Sequence, residues 1–345
     1  MSIMKVWKFC WVLPLFLLLA CSDGSAVTSP TLSFTPEPAA QVVTILEDTK
    51  GTPVPTAAPA PTPGPTPVST GPQPEVFSVI WVSDTQHYSE LYPEMLLSMT
   101  QWTAQQRQAR NIKAFVHTGD MVNRSGSSRQ WDNIAVALDA LGDLPLLALA
   151  GNHDVGTTTL DYSYFLEHVA SRYPHTDQLF EKGRGSWLEL SMEYQSFLLI
   201  GTGWGYKEES VAWLNDVIRA HPLDIVILCA HSYLDTNGSF TDGGDILFEH
   251  VVKPNHNVKL VLSGHRDDVA LRTDEMDDNG DGVIDRKVYA MLYNYQEVKA
   301  NGGGGYVRIL TVDPGKRTVQ VETYSPYLDA YKTGEKEAFV LNDLF

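Results

Sequence analysis

Five short polar stretches in this 345-residue chain carry side chains suited to metal and proton chemistry: Asp84-Thr85-Gln86-His87, Gly119-Asp120, Gly151-Asn152-His153-Asp154, the single His231, and Gly264-His265-Arg266-Asp267. Taken singly each has a plain reading, because a loop Asp or Asn is most often a turn or cap residue and a lone strand-end histidine is usually hydrogen-bonded structure. Taken together they supply what a pair of divalent cations needs, a bridging carboxylate and a few further oxygen or nitrogen ligands for each ion. Two ions ~3.5–4 Å apart generate hydroxide at neutral pH and clamp an in-line phosphoryl displacement.

The elements that must position these groups are alike. Val79–Ser83, Ala114–Thr118, Leu144–Ala150, Ile225–Ala230 and Val258–Ser263 are short, largely apolar runs, and each delivers one polar stretch at its C-terminal end. A short apolar run closed by a turn reads as a buried strand, and open α/β sheets bind ligands at the C-terminal ends of their strands. Asp84 to Asp120 is 36 residues, Asp120 to Asn152 is 32, and His231 to His265 is 34. Each gap is near the ~30 residues of a strand-helix-strand unit, so parallel strands are expected to bring all five tips to one sheet edge. Helical spacing is read over Tyr92–Arg110, Arg129–Leu141, Leu160–Val169 and Glu208–Ala220, with Pro222 as a stop. The 79-residue gap from Asn152 to His231 leaves room for a hairpin over Ser186–Thr202. Beyond Asp267, strands are expected at Val269–Arg272, Lys287–Tyr295, Tyr306–Val312 and Thr318–Tyr324, the last two joined by a turn at Asp313-Pro314-Gly315-Lys316, which implies a second sheet.

In this order the tips resemble the calcineurin-like metallophosphoesterase family, whose pattern is DxH, GDxx, GNH(D/E), a lone His and GHxH. The resemblance spans about Val76 to Asp267, with two departures: Gln86 stands for the His of DxH, and Asp267 for the last His of GHxH. It implies an α/β fold in which two sheets pack as a β-sandwich flanked by helices, four layers in αββα order. It also implies that Asp120 bridges two divalent ions, one held by Asp84, Gln86, Asp120 and Asp267, the other by Asp120, Asn152, His231 and His265. A Gln86 amide oxygen makes the first set oxygen-rich, which favours manganese, iron or magnesium over zinc; His87 is the rival ligand. The family places His153 beside the substrate rather than on a metal, as stabiliser of phosphoryl charge or donor of a proton to the leaving oxygen, with Asp154 orienting its ring.

At the N-terminus, Lys5 and Lys8 precede an apolar segment, Phe9–Ala20, of a length that suits a signal peptide core and falls short of the ~20 residues of a spanning helix. Leu18-Leu19-Ala20-Cys21 resembles the lipobox of bacterial lipoproteins, which implies cleavage after residue 20 and lipidation of Cys21; the plainer reading is an ordinary secretory signal with an incidental cysteine. Residues 21–74 hold 12 of the 20 prolines and little that can be buried, so a semi-extended tether is expected, with a reach on the order of 150 Å. Only Gln41–Leu46 within it has the composition to order. The third unit, residues 75–345, is long enough for one domain with a sizeable core. The expected location is the bacterial cell envelope on its extracytoplasmic side, with the membrane met only through the lipid.

The formal charge of −17 becomes −19 without Lys5 and Lys8, which argues against broad nucleic-acid binding, although bound cations reverse the local field. Of three cysteines, Cys10 leaves with the signal and Cys21 would be lipidated, so Cys229 has no disulfide partner and reads as an inert buried thiol. A monomer is expected.

Asp277, Asn279, Asp281 and Asp285 lie in a stretch resembling a calcium loop, but Val288 stands where the closing bidentate Glu is required; a polar connection between strands is the competing reading. Asn301–Gly305 lacks the Lys and the helix of a phosphate loop. Asn294-Tyr295-Gln296, Tyr324–Tyr327 and Trp204 are candidates for pocket walls. The function implied is metal-dependent hydrolysis of phosphate mono- or diesters; the alternative is a binding or signalling module whose turnover the Gln86 and Asp267 substitutions have weakened.

Overall fold

Alternation along the strands decides the layering. In β1 (Phe77–Val82) the side chains of Phe77, Val79 and Trp81 join one buried cluster while Ile80 and Val82 join another, and in β6 (Phe197–Thr202) Phe197 and Leu199 share the first cluster while Leu198 and Ile200 enter a third. Strands with both faces buried read as continuous apolar runs, and a strand with two apolar faces needs cover on each. The result is a two-sheet sandwich with helices outside, seen in a computed structural model that describes residues 74–173, 179–296 and 301–345.

The first sheet runs β13 (Ala330–Lys332), β12 (Thr318–Ser325), β11 (Val307–Asp313), β1, β2 (Ile112–His117), β3 (Leu146–Ala148), with β14 (Phe339–Leu341) also on β12. The second runs β4 (Leu179–Phe180), β5 (Gly185–Leu190), β6, β7 (Ile225–Ala230), β8 (Val258–Ser263), β10 (Arg286–Asn294), β9 (Asp268–Met276). β1, β2 and β3 are mutually parallel, as are β6, β7, β8 and β10. Helices Pro93–Gln106 and Ser128–Asp139 cover the first sheet with Met95, Met99, Trp131 and Ile134. Helices Glu208–Ala220 and Asp242–Leu247 cover the second with Leu214, Ile218 and Leu247.

The hairpin over 186–202, the strands after Asp267 and the turn at Asp313–Lys316 are as expected. One expectation is corrected: the five tips do not share one sheet edge. β1, β2 and β3 belong to the first sheet and β7 and β8 to the second, because the β5–β6 hairpin starts a new sheet between Asn152 and His231. Leu160–Val169 is also less regular than its spacing suggests, with an α-turn at Ser163–Phe165 running into a π-turn at Leu166–Ala170. The 277–285 stretch is the connection between β9 and β10, and its side chains cap its own backbone: Asp277 accepts from Gly280, Asp281 and Gly282, and Asp285 from Asp278. Among the described residues these acidic groups do not converge as a cation site. Cys229 is buried between the sheets. The segments read as signal, lipidated Cys21 and linker lie outside the described residues, apart from Pro74; among the described residues no helix is long and apolar enough to cross a membrane.

A buried charge braces the sandwich near the site. Arg308 on β11 sits opposite Trp81, donates to the Lys336 carbonyl at 2.7 Å and lies over the rings of Trp81, Tyr293 and Phe339, which offset the desolvation of its guanidinium. Trp81 in turn donates its indole N–H to Thr118 Oγ1 at 3.0 Å, which anchors the β2 tip.

Candidate metal centre and active site

The strand tips turn sharply. Asp84, Asp120 and His265 each have a left-handed backbone, φ 54°, 55° and 75°, a conformation that costs a non-glycine residue ~1–3 kcal/mol and that only its surroundings can hold. Those surroundings are other tips. Asp84 donates its backbone N–H to the Gly119 carbonyl, and its carboxylate accepts the His265 N–H from across the sandwich at 2.9 Å and the Ser83 hydroxyl at 2.6 Å. The motif glycines are required by closeness: a Cβ on Gly264 would lie 1.9 Å from Ser83 Oγ, and one on Gly119, already at φ 109°, would lie 2.6 Å from His231 Nδ1.

Asp120 is the centre of the arrangement. Its Oδ1 accepts the His153 N–H at 2.8 Å, and its Oδ2 lies 3.3 Å from His231 Nε2. His231 Nδ1 faces the Thr118 carbonyl at 2.9 Å; a carbonyl can only accept, so the proton sits on Nδ1 and Nε2 is the nitrogen turned toward Asp120 and the Asn152 Oδ1 at 3.1 Å. Ligand atoms of Asp120, His231 and His265 all lie within 4.8 Å of one another. Asp120, Asn152, His231 and His265, expected to hold one ion, are therefore gathered in one place.

Electrostatics here is that of too much buried negative charge. Burial, with the nearby Asp120 carboxylate, raises the pKa of both Asp84 and Asp154. Burial opposes ionisation of Asp120 as well, but the His231 charge and hydrogen bond prevail and hold it below the usual range. Burial disfavours the His231 imidazolium, and the Asp120 carboxylate more than reverses this, raising its pKa. His265 is pushed down to about 4 by burial and by His231. Gln86, at the start of the helix Gln86–Leu91, is buried and its Oε1 has no hydrogen-bond partner. A buried carboxylate pair, a tautomer-fixed imidazole and an orphaned amide oxygen fit hard or borderline cations. His87 is half-exposed and is not among the converging groups.

Two expectations change. Asp267 is exposed, and its Oδ1 accepts the amides of Asn294 at 3.1 Å and Gln296 at 3.0 Å; the end of β10 thus holds the carboxylate expected as a fourth ligand. Asp154 does not orient the His153 ring. Its Oδ1 accepts the N–H groups of Met121 and Val122 and its Oδ2 that of Gly151, so it staples two tips together as a positioning residue. The ring of His153 is set instead by the Asn123 carbonyl, 3.1 Å from Nδ1. Asn123 is held in turn by Gln130, which accepts its N–H, and by Glu90, which accepts its side-chain amide. Sequence reading passed over Asn123, Glu90 and His117. The last is kept neutral by burial, down to about 3, with Nδ1 accepting the Gly119 N–H and Nε2 facing the Thr85 hydroxyl. Of the suggested pocket walls, Trp204 lies against His265, whereas Tyr324 packs on Trp102 under the outer helices.

Removing Asp154 should show its stapling role. Asp154→Ala strands three buried N–H groups at ~1–3 kcal/mol each, so urea unfolding is expected to report a loss of about 3 kcal/mol or more, with a smaller loss for Asp154→Asn, which keeps one acceptor oxygen. A loss under about 1 kcal/mol for the alanine variant would contradict the role.

This chain belongs to the calcineurin-like phosphoesterase family, whose model matches residues 77–266. Over 283 residues it is 38% identical to the uncharacterized protein YvnB of Bacillus subtilis (strain 168), covering 79% of this chain and 22% of YvnB; the chain thus spans less than a quarter of that relative's length. Its fold is similar to that of purple acid phosphatase PPD1 from yellow lupin (Lupinus luteus), with TM-score 0.54, 14% identity, and coverage of 78% of this chain and 54% of that one. It is similar too to a dimetal phosphatase from Danio rerio, with TM-score 0.54, 11% identity, and coverage of 77% and 99%.

Proposed function

We propose that this chain hydrolyses phosphate mono- or diesters at a dinuclear metal centre bridged by Asp120. The observation that carries the reading is that carboxylate itself: buried, 3.3 Å from a His231 Nε2 that also meets the Asn152 oxygen, with the buried Asp84 carboxylate and the orphaned Gln86 amide oxygen as the further donors we assign to the second ion. Asp84, Gln86 and Asp120 would hold one ion, and Asp120, Asn152, His231 and His265 the other. When bound, the ions supply an ionised water as nucleophile at neutral pH and positive charge for the phosphoryl oxygens. The oxygen-rich first set favours manganese, iron or magnesium.

The chain's own groups do the rest. Thr118 fixes the tautomer of His231 so that it presents a lone pair. Asn123 orients His153, whose Nε2 proton is available to the leaving oxygen as the ester bond breaks. The engagement of Asp267 by Asn294 and Gln296 favours a second reading, a binding module with weakened turnover, since it removes one donor from the first set. Release of phosphate from a panel of esters, assayed with several divalent metals, separates the two: a bound pair of ions without turnover on any ester supports the module.

We further propose that the domain is tethered outside the cytoplasm by a lipid on Cys21. Wild-type protein should then partition with membranes, and Cys21→Ser should release it or leave an uncleaved precursor. Wild-type chain recovered soluble and without lipid would contradict the tether.

A further inference from the structure

Beside His231 and His265 lies a cavity of about 460 Å³, within the range of small-molecule sites. Leu160, Trp204, Tyr206 and Ile246 give it apolar walls. Trp204 is half-exposed yet tightly fixed. Its backbone N–H donates to the Ala150 carbonyl at 2.8 Å, its carbonyl accepts the Tyr162 hydroxyl at 2.7 Å, and its indole N–H donates to the Thr157 carbonyl at 3.2 Å. Its ring leans on that of His265 at 5.0 Å and 39°. Every polar group of this tryptophan is satisfied internally, so its exposed ring offers only an apolar π-surface, and offers it already ordered. A rigid aromatic face loses little entropy when a second ring stacks on it.

The charges at the rim do not favour a second anion. Arg266 lies 3.8 Å from Asp235, and Asp242 stands on the same cavity. The pocket therefore attracts a flat neutral group more than another phosphate.

Building on the phosphoesterase reading, we infer that this cavity receives the leaving group and that the substrates are small phosphate esters of planar aromatic alcohols or of alcohols bearing a planar ring. Water adds to phosphorus as the P–O ester bond breaks, and the leaving oxygen takes a proton and departs as the alcohol along the face of Trp204.

Affinity for two phosphonates that cannot be hydrolysed isolates the pocket from the chemistry. Titration calorimetry on the full chain loaded with manganese is expected to show phenylphosphonate binding at least about tenfold more tightly than methylphosphonate, the gain expected of one stacked ring. The preference should fall below about threefold in Trp204→Ala and survive in Trp204→Phe, which keeps an aromatic face. A wild-type preference below about threefold, or one that persists in Trp204→Ala, overturns the aromatic pocket while methylphosphonate binding leaves the metal site standing. If neither phosphonate binds the loaded chain, the phosphoesterase reading fails and the pocket inference with it.

Discussion

Asp120→Asn is expected to lose bound metal and turnover together. The substitution keeps the shape of the side chain and an oxygen for the His153 N–H, and it removes the negative charge. A carboxylate proposed to be shared by two cations has no substitute nearby, because the Asp84 carboxylate, held by the His265 N–H and the Ser83 hydroxyl, is itself assigned to one of the two ions. The loss in activity should exceed the ~10–100-fold that follows removal of an outer partner of a metal ligand. Metal analysis of the purified variant and phosphate release measured on the same sample check this. Asp277→Asn is the matched control: the same chemical change, in the β9–β10 connection, should leave turnover near wild type. Wild-type turnover in Asp120→Asn would remove the basis for a shared bridge.

His153→Ala should separate metal binding from catalysis. The His153 ring is held by the Asn123 carbonyl, and its nitrogens are not among the three ligand atoms that converge, so both ions should be retained. A proton donor matters most when the leaving oxygen is a poor leaving group. Activity on an alkyl phosphate is therefore expected to fall by ~10²–10⁴-fold, and that on a nitrophenyl phosphate far less. An emptied metal site in this variant would make His153 a ligand. Equal losses on both substrates with metals retained would assign it electrostatic stabilisation of the phosphoryl group.

What was legible in the sequence was whatever a strand end declares locally. Asp84, Asp120, Asn152, His231 and His265 follow apolar runs that have to be buried strands, and a buried strand fixes the place of the residue after it. The division of those strands between two sheets was not legible: the gaps near 30 residues do join parallel neighbours, but the long gap between Asn152 and His231 does not say that its hairpin starts a new sheet. Asp267 misled for a related reason: motif position sets the backbone, while Asn294 and Gln296, about 30 residues downstream, decide where its carboxylate is held. Asp154 acts through tertiary hydrogen bonds from backbone N–H groups, Asn123 through its own carbonyl facing the His153 ring, and Glu90 through the Asn123 side-chain amide, and nothing in their sequence neighbourhood signals such a partner. Helix Asp242–Leu247 has no local signal because Gly243 and Gly244 are poor helix formers; the Thr241 side chain, accepting the Gly244 N–H at 3.0 Å, starts it nonetheless.

The most direct test of the metal-centre account is metal stoichiometry measured together with turnover. The purified chain, stripped and then titrated with manganese, should bind two ions, with hydrolysis of a phosphate ester rising as the second site fills. Binding of a single ion at saturation, or two bound ions with no hydrolysis of any ester in the panel, would contradict it.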